Sequence, residues 1–192
     1  MVIVNRETKE TVIRMELDMH TGPEVSVSTG LPFFDHMLNA MAFHGGFTLK
    51  IEARGDLEVD PHHLIEDTGL VLGDALMKTF EETGAVRRYG TSVIPMDDAL
   101  SETVIDVCRR PFLVFQADWP QESAGNFDYF LIREFLQALV NRGGLNIHAH
   151  CRYGSNSHHM AEALFKSLGR ALKEAFRPAG GESEKMSTKG MI

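Results

Sequence analysis

Apolar and polar residues alternate along Thr11–Met19, TVIRMELDM, and this two-residue period predicts a strand with one buried face. The turn His20-Thr21-Gly22-Pro23 leads to a shorter strand over Glu24–Ser28. From Leu31 to His44 the spacing becomes helical, with Pro32 in the first turn and Gly45-Gly46 at the end. Phe47–Ala53 reads as a strand again. Asp60-Pro61 then opens a helix running to about Glu82, with Asp60 as cap, Pro61 at the first helical position and Gly84 as the stop. The same order returns. Ser101–Cys108 and Phe112–Ala117 read as strands, Phe127–Asn141 as a helix closed by Gly143-Gly144, Leu145–Cys151 as a strand, and Ser157–Phe176 as a helix closed by Pro178. Thr91–Met96 reads as an extra strand between the halves. The fold expected is α+β, an internal duplication of two β-β-α-β-α halves with helices mostly on one sheet face. The halves span 1–84 and 85–178, followed by a polar tail over 179–192.

The duplication is visible in the residues. His62-His63-Leu64-Ile65-Glu66 recurs as His158-His159-Met160-Ala161-Glu162, half of the 192-residue chain later. In that register Leu72, Gly73, Ala75, Leu76 and Phe80 fall on Leu168, Gly169, Ala171, Leu172 and Phe176. Upstream the register slips by a short loop. There Gly45-Gly46 falls on Gly143-Gly144, Leu38 on Leu136, and His36 on Glu134. Two copies of this length are not a solenoid, which stacks several short repeats.

A His-His-x-x-Glu turn on a helix places Glu66 on the turn next to His62 and His63. The two histidines themselves point about 100° apart, so they do not readily chelate one ion together. Each motif therefore splits, one histidine and the glutamate serving one metal, the other histidine a second. Two such motifs make two sites, each drawing on both halves, with His36 and Glu134 as completing ligands. A single copy is satisfied by a solvated helix turn; two copies in register favour ligands. The order is not HExxH, in which one helix face holds zinc with two histidines and the glutamate is the base. A nitrogen and oxygen ligand set suits manganese, iron, cobalt or zinc alike.

Net charge of -8 and pI near 5.6 argue against a general nucleic-acid binder. No apolar run is long enough for a membrane helix, and the N-terminus MVIVNRETKE does not read as a signal peptide. Cys108 and Cys151, the only two, are expected to be reduced structural residues of a cytoplasmic protein.

The motifs taken together resemble one family, the imidazoleglycerol-phosphate dehydratases, over nearly the whole chain. They are Arg6-x-Thr8-x-Glu10-Thr11, Phe33-Phe34-Asp35-His36-Met37-Leu38 with His44-Gly45, and Asp60-x-His62-His63-x-x-Glu66-Asp67. They continue with Arg88-Tyr89-Gly90, Asp97-x-Ala99-Leu100, Arg109-Arg110-Pro111, Gly154-x-Asn156-x-His158-His159-x-x-Glu162-Ala163-x-Phe165-Lys166, and Ser187-Thr188-Lys189-Gly190.

The resemblance implies a hydro-lyase of histidine biosynthesis, cytoplasmic, with a fold similar to the ribosomal S5 domain 2-like arrangement. It implies two Mn2+ per active site and a homo-oligomer, a closed assembly of about 24 subunits with active sites between them. It implies dehydration of D-erythro-imidazole glycerol phosphate to imidazole acetol phosphate by a metal-bound imidazolate mechanism. No carbonyl activates the C–H that must be lost, so the ring has to supply the push, and a metal on a ring nitrogen favours the deprotonated ring. The ligands implied are His36, His62, His63, Glu66, His158, His159 and Glu162, with Glu134 at a position where the family often has histidine. His36, His62, His63, Glu66, His158 and Glu162 thereby also face the substrate. Glu10 is the implied substrate contact and the general acid/base, with Glu66 as its rival for proton transfer. Arg88, Arg110, Lys166 and the tail residues Ser187, Thr188 and Lys189 match phosphate-binding positions, and His44 a substrate contact. A dedicated phosphate pocket would separate such an enzyme from a metal-storing shell built on the same ligands. A metallohydrolase acting on a phosphorylated substrate is the other enzymatic reading.

Overall fold

The computed structural model describes residues 1–180. Its element order is β1 (Val2–Glu7), β2 (Thr11–Asp18), β3 (Val25–Ser28), α1 (Pro32–Gly45), β4 (Thr48–Gly55) and α2 (His62–Thr83) in the first half. The second half runs β5 (Tyr89–Met96), β6 (Ala99–Val107), β7 (Phe112–Gln116), β8 (Ser123–Ala124), β9 (Phe127–Asp128), α3 (Leu131–Gly143), β10 (Leu145–Tyr153) and α4 (Ser157–Ala175).

Each half contains the expected β-β-α-β-α order, preceded by one further strand. Val2 and Val4 are buried while their neighbours are exposed, so the N-terminal stretch is strand β1, which the sequence reading passed over. The strand expected to lie between the halves is β5, the counterpart of β1. The sheets are ordered β1-β2-β4-β3 and β5-β6-β10-β7. Registers match as well. Lys50 of β4 pairs with Glu16 of β2 and Ser26 of β3, and His148 of β10 pairs with Val104 of β6 and Val114 of β7. The outer strands β3 and β7 run parallel to the central strand, and the other pairs are antiparallel.

One expectation is corrected. The helix placed at Phe127–Asn141 begins only at Leu131. Phe127 instead belongs to a two-stranded hairpin with β8, turned at Gly125 with φ 64°. The spacing of Phe127, Phe130 and Leu131 imitates a helical stripe. Phe127 is nevertheless held in extended backbone, fully buried with its ring 5.0 Å from Phe33 and 5.9 Å from Phe34. This hairpin has no counterpart in the first half. The slip in repeat register comes later, where the connection from β4 to α2 is longer than that from β10 to α4.

Each sheet is covered on one face by its own two helices, and the two helical layers pack on each other, α1 on α4 and α2 on α3. A single core cluster therefore runs through both halves. The helix crossings repeat with the duplication. A Cβ at Gly169 of α4 would lie 1.9 Å from the Met41 carbonyl of α1, and one at Gly45 would lie 2.7 Å from the Gly169 carbonyl. At the matching crossing, a Cβ at Gly73 of α2 would lie 2.7 Å from the Gly143 nitrogen of α3. Glycine at these positions lets the helices approach backbone to backbone. That approach brings the first turns of helices from opposite halves together.

Candidate metal centre

His36 lies in the early part of α1, and His158 and Glu162 occupy successive turns of α4. Asn156 caps α4, its side-chain oxygen accepting from the His158 backbone N–H at 2.9 Å, which fixes where the motif enters the helix. Because α1 packs on α4, the three side chains converge. His36 Nε2 and His158 Nε2 each lie 3.2 Å from Glu162 Oε2. All three ligand atoms lie within 4.8 Å of one another. Phe33 packs edge-on against the His158 ring at 5.4 Å. Glu162 is buried, and burial opposes its charge. Hydrogen bonds from Lys166 and His36 outweigh that and hold its carboxyl below the ordinary value. Lys166 Nζ contacts the other oxygen, Oε1, at 2.7 Å. Two imidazole nitrogens and a charged carboxylate oxygen in this spacing fit a divalent first-row ion.

The matching residues on α2 and α3 are more open. Asp60 Oδ1 accepts from the His62 backbone N–H at 2.6 Å, the same device as Asn156. Its neighbour Pro61, expected inside the helix, is the capping residue instead. His62 Nε2 lies 3.8 Å from Glu66 Oε2. Glu134 sits in the first turn of α3, 3.7 Å from the Arg133 guanidinium. Gly69 packs on the carbonyl of Phe135, next to Glu134. Even so, His36, His158 and Glu162 form the one three-ligand group among the described residues. Glu134 stands where the other half has His36, so the candidate ligands of this side include two carboxylates, Glu66 and Glu134.

The remaining histidine of each motif faces away. The His62 and His63 rings are 6.2 Å apart at 90°, and the His158 and His159 rings repeat those values. His63 Nδ1 lies 3.1 Å and 3.3 Å from the two oxygens of Asp56, in the loop after β4. That hydrogen bond raises the His63 pKa. His159 Nδ1 lies 2.6 Å from Asp98 Oδ1, in the β5–β6 turn. Asp98 Oδ2 also accepts from Ser155 N–H and Oγ–H and from Asn156 N–H. The hydrogen bond from His159 and those from Ser155 hold the Asp98 carboxyl well below the ordinary carboxylate range. The sequence pattern drew attention to Asp97, and the residue that binds is its neighbour. Neither Asp56 nor Asp98 was legible as a site residue, because each meets its histidine only across a loop.

Glu10 is exposed in the β1–β2 turn. Its backbone carbonyl accepts from Asp56 N–H at 3.1 Å, and its charge is felt at His63. The motif residues around it are structural. Arg6 pairs with buried Asp67 at 2.9 Å, and Thr11 donates to the same carboxylate, fastening α2 to the β1–β2 hairpin. His44 lies beyond His36 on α1, its pKa lowered by burial and by Lys166. His36, Asn39, His44 and Glu162 line a cleft of about 380 Å³. His44 also borders a larger cleft of about 980 Å³ whose walls include Arg87, Arg170, Lys173 and Arg177. The cluster therefore opens beside a basic surface.

Arg88 and Arg110 are placed elsewhere. Arg88, with φ 75°, grips Asp106 through Nε at 2.7 Å and a terminal nitrogen at 3.2 Å. Arg110 is exposed just beyond the end of β6. Strand β5 is 8 residues long and separates Arg88 from the Asp97–Asp98 turn by roughly 25 Å, at about 3.3 Å per residue. Among the described phosphate-binding candidates, only Lys166 meets the candidate metal ligands of its own chain. Ser187, Thr188 and Lys189 lie outside the described residues.

His20 bonds Thr83 at 3.1 Å, and both cysteines are buried free thiols. Burial pushes the Cys151 thiol up to about 11. Among the described residues no helix is long and apolar enough to cross a membrane.

A family model described as imidazoleglycerol-phosphate dehydratase matches residues 29–172. Among curated relatives, the imidazoleglycerol-phosphate dehydratase of Clostridium botulinum (strain Okra / Type B1) is 46% identical over 189 residues, covering 98% of this chain and 96% of its own. That of Exiguobacterium sp. is 47% identical over 189 residues, with coverage of 98% and 96%. Among solved structures, imidazoleglycerol-phosphate dehydratase from Staphylococcus aureus superposes with a TM-score of 0.81 at 36% identity, over 93% of this chain and 100% of that one. The Pyrococcus furiosus enzyme in complex with (S)-C348 superposes with a TM-score of 0.85 at 35% identity, over 98% and 100%.

Proposed function

The chain belongs to the imidazoleglycerol-phosphate dehydratase family, a hydro-lyase of histidine biosynthesis, and we propose how its residues perform that reaction. The substrate is D-erythro-imidazole glycerol phosphate, the product imidazole acetol phosphate, and the cofactor two Mn2+ per active site. The observation that carries this reading is the convergence of His36, His158 and Glu162 from opposite halves, beside a basic cleft.

His36, His158 and Glu162 hold one ion, joined by His63 of a second copy. His62, Glu66 and Glu134 hold the other, joined by His159 of a second copy. The turning of the His63 and His159 rings away from His62 and His158 supports this sharing. So does the length of β5 between Arg88 and the Asp98–His159 pair of its own chain. The active site is thus built between subunits of a homo-oligomer, of about 24 chains by family likeness. An ion held there would act as a Lewis acid toward a nitrogen of the substrate ring, favouring loss of the ring proton and departure of the neighbouring hydroxyl.

The protein residues do the rest. Glu10, exposed at the edge of the His63 side, takes the proton from the carbon that no carbonyl activates, with Glu66 as the alternative carboxylate. Lys166 both neutralises Glu162 and offers a donor to the phosphate. Arg88 and Arg110 supply guanidinium donors from a neighbouring copy, and Ser187, Thr188 and Lys189 offer further hydroxyl and ammonium donors to the phosphate. His44 orients the substrate along the cleft. A biosynthetic role of this kind places the protein in the cytoplasm.

The test is turnover of imidazole glycerol phosphate by protein stripped of metal and refilled with single divalent ions. Activity restored by Mn2+ is expected. An assembled protein inactive with every divalent ion would overturn the reading.

A further inference from the structure

Ligands that meet on one ion within a chain orient one another. His36 and His158 both aim Nε2 at Glu162, and His62 aims Nε2 at Glu66 one turn on. Among the described residues, His63 and His159 have no such companion in their own chain. A free imidazole can rotate about its side-chain bonds and exists in two neutral tautomers, only one of which offers a lone pair at Nε2. Each of these two rings instead meets a carboxylate at Nδ1: Asp56 for His63, at 3.1 Å, and Asp98 for His159, at 2.6 Å. An Nδ1–H bonded to carboxylate leaves Nε2 as the acceptor. His159 Nε2 lies 3.7 Å from an oxygen of Asp97, outside hydrogen-bond distance.

The two carboxylates do not correspond in the duplication. Asp56 follows β4, the central strand of the first sheet, whereas Asp98 lies in the β5–β6 turn. The internal repeat is faithful at the ligands, yet the same support reaches the second histidine of each motif from different loops. A contact that follows from the shared ancestry of the halves would recur at matching positions. This one recurs in chemistry alone.

We propose that Asp56 and Asp98 are positioning residues that lock His63 and His159 as Nε2 ligands for the metal sites of neighbouring copies. The inference rests on the shared metal sites proposed above. Asp56 and Asp98 touch neither substrate nor metal. They preset ring direction and tautomer, so that a histidine presented across a subunit boundary arrives ready to bind.

Asp56 gives the cleaner test, since its side chain has no hydrogen-bond partner except His63 among the described residues. Mn2+ per chain is measured in the assembled protein by elemental analysis and electron paramagnetic resonance, during titration with a chelator. Wild type is expected to hold two ions per chain. In Asp56→Ala one of the two is expected to leave at about tenfold to a hundredfold lower chelator concentration, the usual loss on removing such a support. The other ion should hold as in wild type, with circular dichroism unchanged. Asp56→Asn keeps an acceptor for Nδ1–H and should fall in between. Equal weakening of both ions, or of neither, overturns the proposal while leaving the shared sites intact. A wild-type protein that holds no metal overturns the shared sites, and this proposal with them.

Discussion

The hydrogen bond between Asp56 and His63 favours the protonated imidazole, so in metal-free protein it makes stability depend on pH. The folded pKa is raised above the ordinary 6.5. The stabilisation is therefore fully present below pH 6.5 and lost as pH rises through the raised value. Thermal melts of chelator-treated protein across this range should show it, and Asp56→Asn should flatten the slope; equal slopes would exclude the pair as its source. Metal binding has the opposite dependence, because a ligating histidine must be neutral. At this scale the sequence was informative where chemistry repeats. His62, His63, Glu66, His158, His159 and Glu162 announced themselves as two copies of one pattern. Asp56 and Asp98 did not, because a lone aspartate in a loop carries no period and no repeat partner.

Helices and strands followed their apolar spacing closely, and the exceptions have physical causes. Strand β1 begins at the second residue and has only two buried valines, too short a stripe to stand out. Phe127 sits at helical spacing from later apolar residues but is held in a hairpin by contacts with Phe33 and Phe34 of α1. Those contacts are remote in sequence. The glycines at the helix crossings make a prediction at the same scale. Gly169→Ala would drive a Cβ to 1.9 Å from the Met41 carbonyl. Overpacking of this kind costs about 1–3 kcal/mol or more when backbone must shift. Gly22→Ala meets nothing within 4 Å and should be near neutral. Denaturant unfolding of the two variants, compared with wild type, measures the difference. A Gly169→Ala protein as stable as Gly22→Ala would mean that α1 and α4 separate at little cost, and the convergence of His36 on Glu162 would lose its rigid support.

For the whole molecule, metal sites shared as proposed would tie assembly to metal. Size-exclusion chromatography with light scattering should show a smaller species after chelation, regained on adding Mn2+; an unchanged large particle would break the link. The separation of Arg88 from the ligands of its own chain gives a second expectation. Co-expression of Arg88→Ala with Glu162→Gln, each inactive alone, should restore about a quarter of wild-type activity, since randomly mixed symmetric assemblies then contain intact sites. No recovery from mixed particles would place both residues of a site in one chain.

The sequence by itself determined the duplication, the α+β class, most of the elements and the candidate ligand types. These depend on local spacing and on side-chain chemistry, which a chain carries without folding. Only the tertiary structure decided which ligands meet. His36 joins His158 and Glu162 because α1 crosses α4 at Gly45 and Gly169, a contact between opposite halves. Likewise only packing turned His63 and His159 onto Asp56 and Asp98, and set Arg88 at the far end of β5 from the Asp97–Asp98 turn. Direction and distance between remote residues belong to the packed helices and sheets, and no local pattern encodes them.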